Sequence, residues 1–375
     1  MLKILHVSPL DYTKGGHSRA HTDLALLLKK NGIESAFAVP YTDDLGDYMD
    51  DLGIQCYPIK TSSLPGLATI SFEWQIKKRL SQIIENYNPD IVLTETVGLG
   101  PTIESIKKVG GRKLRLLHWE KSPPTEASIL GKLQYFHWRR TWKRYGSAPD
   151  CTMFQSKPHI GHVIDETGIS PKMSIVMENG VDVQLFDKDG SLMRDQNKIC
   201  YVGTVSKARG VFDLIAAGDI VYKEKPDFQL HIFGHGSSKS AVRKLAEDRI
   251  WLKVHEFLEE QDFVRHLSEA SIGVVPHPDY PVWRICSALK LREYAAMGMA
   301  VVARRLPVHE EFEGEDWMFI KEDGVGETSL AAGMISALQD IEKNGNSISS
   351  SSREYAERYF TYEYQTKALL NWIGI

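Results

Sequence analysis

Short runs rich in β-branched residues alternate with helical patterns along nearly the whole chain, and that alternation leaves few folds open. "KILHVSP" precedes a helical pattern near Ser18–Asn31, then "ESAFAVP" follows. "FEWQIKKRLSQIIENY" leads to "DIVLTE", "LRLLHWE" comes next, and "CTMFQSK" follows a further helical stretch. The second half repeats the scheme. "KICYVGT" leads into "VFDLIAAGDIVYKE", "FQLHIFGHG" into "SAVRKLAED", and "FVRHLSEA" into "SIGVVPHP"; "SALKLREYAAMG" and "MAVVARR" complete it. Strands separated by helices of about 10–15 residues cannot be joined by hairpins, so they predict parallel sheets wound by helices on both faces. The expected fold class is α/β, two Rossmann-like doubly wound parallel-sheet domains with an inter-domain cleft.

The chain has 375 residues, enough for two domains at ~100–200 residues each. The polar stretch Asp182–Lys198 is the expected boundary, giving domains 1–185 and 198–357, and "KNGNSISSSSRE" (343–354) reads as a loop before a closing helical pattern, Arg353 to Trp372. No apolar run reaches the ~18 residues that span a bilayer, and the first apolar stretch is too short for a signal peptide. The four cysteines lie far apart without Cys-x-x-Cys spacing, so neither a zinc site nor a disulfide framework is expected, and a cytoplasmic location is. Net charge is −4, unevenly shared: Met1–Gly180 has 22 Lys/Arg against 19 Asp/Glu, while Ile103–Arg144 alone has 11 against 3. That excess points to an anionic partner of the first half, and no nucleic-acid module is present to make it nucleic acid.

Doubly wound sheets bind ligands at the carboxyl ends of their strands, so residues there carry the chemistry. Gly15 and Gly16 lie between the first strand and first helix, where free amides and the helix dipole favour an anion. The spacing lacks the Gly-x-Gly-x-x-Gly fingerprint, which disfavours a nicotinamide dehydrogenase. After "ICYV", Gly203 and Thr204 open a loop carrying Lys207 and Arg209, a point charge and a forked donor suited to a diphosphate. "FGHGSS" repeats the design with Gly234 and Gly236. On "SALKLREYAAMG", Glu293 is a carboxylate on an otherwise apolar helix, able to accept both hydroxyls of a ribose. A place near the helix start would favour it through the dipole, so a capping or salt-bridged Glu is the competing explanation.

The ordered set of "GG" after the first strand, "NGVDVQLF", "YVGTVSKARG", "HIFGHG" and "KLREYAAMGMAVVA" resembles the retaining family 4 glycosyltransferases over nearly the whole chain. The resemblance implies the GT-B fold, a donor held mainly by the second domain, and a last helix, about 358–375, that returns to the first. It implies that Glu293 binds the ribose, with Gly16, Lys290 and the glycine loops also on the donor. Arg209, with Lys207, would clamp the diphosphate, because Thr204 stands where the family often has Arg. Ile285 replaces the first Glu of the family's Glu-x7-Glu pair, which leaves the donor sugar to the amides of Cys286 and Ser287. His118, in "LLHWEKSPP", matches the position where a His meets the donor sugar, and Glu120 is an acceptor-side candidate beside it. His118, Arg209 and Lys207 are the expected catalytic groups, with the leaving phosphate taking the acceptor proton.

The expected activity is metal-independent, cofactor-free transfer of a sugar from a nucleotide-sugar to a glycan or lipid-linked acceptor. A GT-B sugar-nucleotide epimerase and a non-catalytic nucleotide-sugar-binding protein are the alternatives. Asp187–Asp189 forms an Asp-x-Asp, but in a polar linker, so no metal is expected there. Finally, "GKLQYFHWRRTWKRYG" (131–146) sets Tyr135, Trp138, Trp142 and Tyr145 on one helical face with cations elsewhere. That pattern suits peripheral contact with an anionic membrane, or else packing of the helix on its own sheet.

Overall fold

The computed structural model describes residues 1–10, 19–62, 64, 67–110, 113–121, 123, 129–186, 194–256, 260–321 and 326–375, the side chains of 19, 129 and 260–263 excepted. Gly15, Gly16, Asp187 and Asp189 therefore lie outside the described residues. The chain divides into two compact units, Met1–Met177 with Ala368–Ile375, and Glu178–Lys367.

In the first unit the chain runs β1 (Lys3–Val7), α1 (Arg19–Lys30), β2 (Glu34–Pro40), α2 (Leu45–Asp51), β3 (Gln55–Ile59), α3 (Ala68–Tyr87), β4 (Ile91–Glu95), α4 (Thr96–Val109), β5 (Arg115–Trp119), α5 (Ile129–Tyr145), β6 (Cys151–Phe154), α6 (Lys157–Thr167) and β7 (Ser174–Val176). The strands form one parallel sheet in the order β3-β2-β1-β4-β5-β6-β7. Winding reverses between β1 and β4, which makes the carboxyl ends of those two strands the switch point where such sheets take ligands.

The second unit follows with β8 (Asp195–Val202), α7 (Val211–Glu224), β9 (Gln229–Phe233), α8 (Lys239–Glu247), β10 (Leu252–His255), α9 (Glu260–Ser268), β11 (Ala270–Val275), α10 (Pro281–Ile285), α11 (Leu289–Ala296), β12 (Ala300–Arg304), β13 (Met318–Lys321) and α12 (Glu327–Tyr359). Its parallel sheet has the order β10-β9-β8-β11-β12-β13, so its switch point lies between β8 and β11. These are two parallel-sheet α/β domains of the GT-B fold. Helix α13 (Tyr362–Ile373) closes the chain, and its end belongs to the first unit. There Leu369 and Ile373 join the core of Ile4, Leu28 and Trp119, and the Arg115 guanidinium lies 3.8 Å over the Trp372 ring.

Two expectations are corrected. Residues 343–354 are not a loop. They lie in α12, which kinks at Asn344 (φ −131°). Poor helix formers are held helical by packing, with Ile348 and Ala356 in the core and the Ser352 hydroxyl donating to Met299 O at 2.8 Å. The α5 stripe of Tyr135, Trp138, Trp142 and Tyr145 is not a membrane face either. Trp138 and Trp142 point inward and are buried, together with Phe154 and Val163. Among the described residues no helix is long and apolar enough to cross a membrane.

Candidate functional site

At the switch point of the second sheet, three glycines let two loops touch backbone to backbone. Gly203, just past β8, has φ +132°, and its amide donates to Phe233 O at 3.0 Å. A Cβ on Gly234 (φ +147°) would sit 2.0 Å from Gly203 O, and one on Gly236 (φ +152°) 2.4 Å from Val205 O. Only glycine fits either place.

Beside these loops two cations converge. Thr204 is exposed, and Lys207–Arg209 form a short 3-10 turn in which Lys207 is exposed and Arg209 is half-buried. The Arg209 guanidinium lies 4.2 Å over the ring of Trp283, whose indole donates to Ala208 O at 2.9 Å. Burial pulls the Arg209 pKa down. Lys290, on α11, is buried with its amine 4.4 Å over the Tyr201 ring. A Cβ on Gly203 would approach that amine to 3.0 Å. Burial, then the Arg209 charge, lowers the Lys290 pKa to about 7 against the pull of Glu293. Among the described residues no carboxylate lies within ion-pair distance of Lys290. Two desolvated cations so placed make an anion site.

The "LKLREY" helix deals its side chains to separate tasks. Tyr294 is fixed through its hydroxyl, which accepts the Val202 amide at 2.9 Å, and Gly273 leaves room for its ring. The buried Arg292 pairs with Glu178 and lies 4.5 Å over the Phe360 ring. Both hold α11 in place, so Lys290 faces the β8 loop while Glu293 stays half-buried within reach of the Lys290 charge. The dipole explanation for Glu293 falls away. It is the fifth residue of α11, past the first turn where that effect acts. The Cys286 amide is also unsuited to a donor sugar, since it donates to Val282 O at 3.2 Å and closes α10. The hydroxyl of neighbouring Ser287 has no hydrogen-bond partner among the described residues.

His277, which the sequence reading lacks, belongs to this cluster. It follows β11 across the switch point, is buried, and stacks on the Trp283 ring at 4.2 Å, the ring that Arg209 also overlies. Burial first, then the charges of Lys290 and Arg209, hold its pKa well below the usual value, so the ring is neutral, and its Nε2 has no partner among the described residues. A lone His two residues past a strand carries no spacing that would have singled it out.

In the first unit, strand alternation sends His118 and Glu120 to one face and Trp119 and Lys121 to the other. His118 is fully buried, with Nε2 3.0 Å from the Thr96 hydroxyl, and burial lowers its pKa to about 3. Glu120 is an interior group. It accepts from the Trp138 indole at 2.8 Å, the Trp142 indole at 2.7 Å and the Thr96 hydroxyl at 2.5 Å. Burial raises its pKa to about 7 despite those bonds. The opposite face holds groups the sequence reading did not assemble. At the β1/β4 switch point the Glu95 carboxylate accepts from the Ser8 hydroxyl at 2.7 Å and lies 2.8 Å from His21 Nε2. Burial pushes Glu95 up, but the His21 bond and the Lys121 charge outweigh it, so the carboxyl stays ionised. Burial lowers Lys121 to about 8. Among the described residues no group of three or more His, Cys, Asp or Glu is placed to hold a metal ion.

Residues 196–340 match the family Glycosyl transferases group 1. Among curated proteins none matches the chain. Solved structures share the fold end to end. A glycosyltransferase from Rickettsia africae ESF-5 is 16% identical over 99% of this chain and 97% of its own, with a TM-score of 0.75. Anabaena HepE (Alr3699), solved with UDP, is 15% identical over 99% of both chains, with a TM-score of 0.73. Sucrose-phosphate synthase from Thermosynechococcus elongatus is 14% identical over 100% and 98%, with a TM-score of 0.75. The family match falls on the unit that carries Lys290, Arg209 and Glu293, and with the shared fold it supports a glycosyltransferase.

Proposed function

We propose that the chain is a retaining, metal-independent glycosyltransferase that takes a sugar from a nucleotide-sugar held by the second unit and gives it to a glycan or lipid-linked acceptor. One arrangement carries the proposal: Lys290 and Arg209 converge beside the glycine loops at the switch point, with Glu293 on the same helix as Lys290. When the bond between the anomeric carbon and the diphosphate breaks, negative charge collects on the leaving phosphate, and the two cations stabilise it where another fold would use a metal. Glu293 accepts the ribose hydroxyls, while His277 Nε2 and the Ser287 hydroxyl are left to meet the donor. His118 and Glu120 support the first unit from within. The acceptor side is instead assigned to Glu95, His21 and Lys121 at the β1/β4 switch point.

HepE is also solved with UDP-glucose, which makes uridine the first base to test. Staphylococcus aureus TarM, solved with α-GlcNAc-glycerol and UDP, and the lipopolysaccharide galactosyltransferase WaaB point to glycan acceptors.

UDP-, GDP- and ADP-sugars are to be screened by thermal shift, where a ligand at a hundred times its Kd adds ~2.7 kcal/mol. One of them is expected to stabilise the wild type and to lose most of that effect in Glu293→Ala. That donor, with EDTA and a panel of oligosaccharides and glycolipids, should yield product of unchanged anomeric configuration. If no nucleotide stabilises the protein, the donor site is refuted. An unaltered shift in Glu293→Ala removes the ribose contact, an inverted product removes retention, and loss of turnover in EDTA removes metal independence.

A further inference from the structure

Two helices of the first unit carry a second apolar stripe, turned away from the core. On α3 it runs Ile70 and Trp74, with Leu67 at the N-cap, and on α5 Leu130, Leu133 and Phe136, each at the three-to-four-residue spacing that keeps side chains on one helical face. All six are exposed, Trp74 to 54% and Phe136 to 65%. The two helices flank α4 and are bridged across it, His137 Nε2 lying 3.2 Å from Glu73 Oε1. A recess bordered by Trp74, Lys77, Arg140 and Arg144, with the carboxylates of Glu73 and Glu104 also on its wall, adjoins a second one bordered by Phe136, Arg140 and Lys143. Arg140 belongs to both, so one continuous surface joins the stripes through cations.

The charge on that surface is largely uncompensated. Lys77 pairs with Glu104 at 3.0 Å and Arg139 with Glu166 at 3.8 Å. Among the described residues, no carboxylate lies within ion-pair distance of Lys132, Arg140, Lys143 or Arg144. The amine of Lys78 rests 3.2 Å over the Trp74 ring.

We propose that this face seats the protein on an anionic lipid bilayer, with Trp74, Leu133 and Phe136 entering the headgroup boundary and the cations meeting lipid phosphates. It is the opposite face of α5 from the buried Trp138–Trp142 stripe. Charge selects the occupant. A second copy meeting this face through a two-fold axis would set like charges against each other, whereas a bilayer supplies negative charge and apolar depth without a matching shape. The proposal does not rest on the transferase reading.

The test is flotation of the full chain with vesicles of phosphatidylcholine alone or with ~30% phosphatidylglycerol, an anionic surface of the kind polybasic faces seek. The wild type should float only with the anionic vesicles and should be released at ~0.5 M NaCl, where screening is short-ranged. Leu133→Asp/Phe136→Asp should abolish flotation and Arg140→Ala/Lys143→Ala should weaken it at least about tenfold, an electrostatic loss of the size expected for two cations. Melting temperature and far-UV circular dichroism should match the wild type in both variants, which reports folding of the first unit separately. A wild type that stays down with anionic vesicles overturns the proposal, as do variants that float as well as it does. So does a Leu133→Asp/Phe136→Asp variant that instead converts a dimer to a monomer in light scattering, which would make this face a self-interface.

Discussion

Lys290→Met is expected to raise the melting temperature of the ligand-free protein while removing nucleotide-dependent stabilisation and at least about a hundredfold of transfer activity, the scale of losing one oxyanion-type contact. The opposite signs share one cause. A buried ammonium without a carboxylate beside it, and with Arg209 close by, is a cost to the folded state that only an anionic ligand offsets. Met keeps the length and apolar stem of Lys and discards the charge. The same cost dictates a pH dependence. In the unfolded chain the amine titrates near 10.5, and in the folded protein near 7. Between those values the unfolded state holds a proton that the folded state has released, so the wild type gains stability as pH rises through that window, and the full penalty applies below it. The Met variant should lack that slope. A diphosphate draws the proton back, so donor binding above neutral pH should take up a proton, and affinity should weaken toward tenfold per pH unit, the limit for one coupled proton. Calorimetry in two buffers of different ionisation enthalpy measures the uptake. Affinity independent of pH from about 6.5 to about 9, with no buffer effect, would show that Lys290 is not the diphosphate ligand.

The strands that can be read from sequence and those that cannot separate on physical grounds. β1, β2, β4, β5, β6, β8, β9, β11 and β12 announce themselves as apolar runs because a parallel strand inside a sheet is covered on both faces. The four absent from the sequence reading, β3, β7, β10 and β13, are the four sheet edges. Edge strands are short and half-wet. "QCYPI" and "LKVH" each bury one residue. Helix α4 is hidden by Gly98, Gly100 and Pro101, yet a Cβ at Gly100 would meet the Tyr145 ring at 2.8 Å, so that glycine serves close packing rather than a turn. The same logic applies to the site. Lys290, Arg209 and Glu293 sit on contiguous motifs and could be read directly. His277, and the pairing of Glu95 with His21, depend on which strands become neighbours at a switch point, which no local window contains. His118 and Glu120 show the limit of strand alternation. It places them on one face together, but it does not say that this face lies beneath α4 and α5.

Glu120→Gln should therefore behave as a stability lesion in the first unit, with donor binding by the second unit preserved. Each carboxylate oxygen already accepts a buried indole N–H, Oε1 from Trp138 and Oε2 from Trp142, and Oε2 accepts the Thr96 hydroxyl as well. A glutamine amide has one acceptor and one NH2. Whichever way it flips, the NH2 faces an indole N–H, and donor meets donor. At ~1–3 kcal/mol for each buried group left unsatisfied, and ~2–4 °C per kcal/mol in domains of this size, the melting temperature of the first unit should fall by roughly 5–10 °C. Protonating the native carboxyl does not mimic this, because a carboxylic acid still accepts at both oxygens and its proton can turn to the Thr96 hydroxyl. Burial, which holds the Glu120 pKa near 7, is thus compatible with a folded acid form. In the window between 4.5 and about 7 the folded state keeps a proton that the unfolded state has lost, so this group's contribution to stability declines as pH rises through it. Differential scanning fluorimetry of wild type and variant across that window, with nucleotide-induced shifts measured alongside, separates the roles. A Glu120→Gln protein that melts with the wild type yet has lost transfer activity would return Glu120 to the acceptor side. One that melts early and still binds nucleotide places it in the frame that holds α4 and α5 against the sheet.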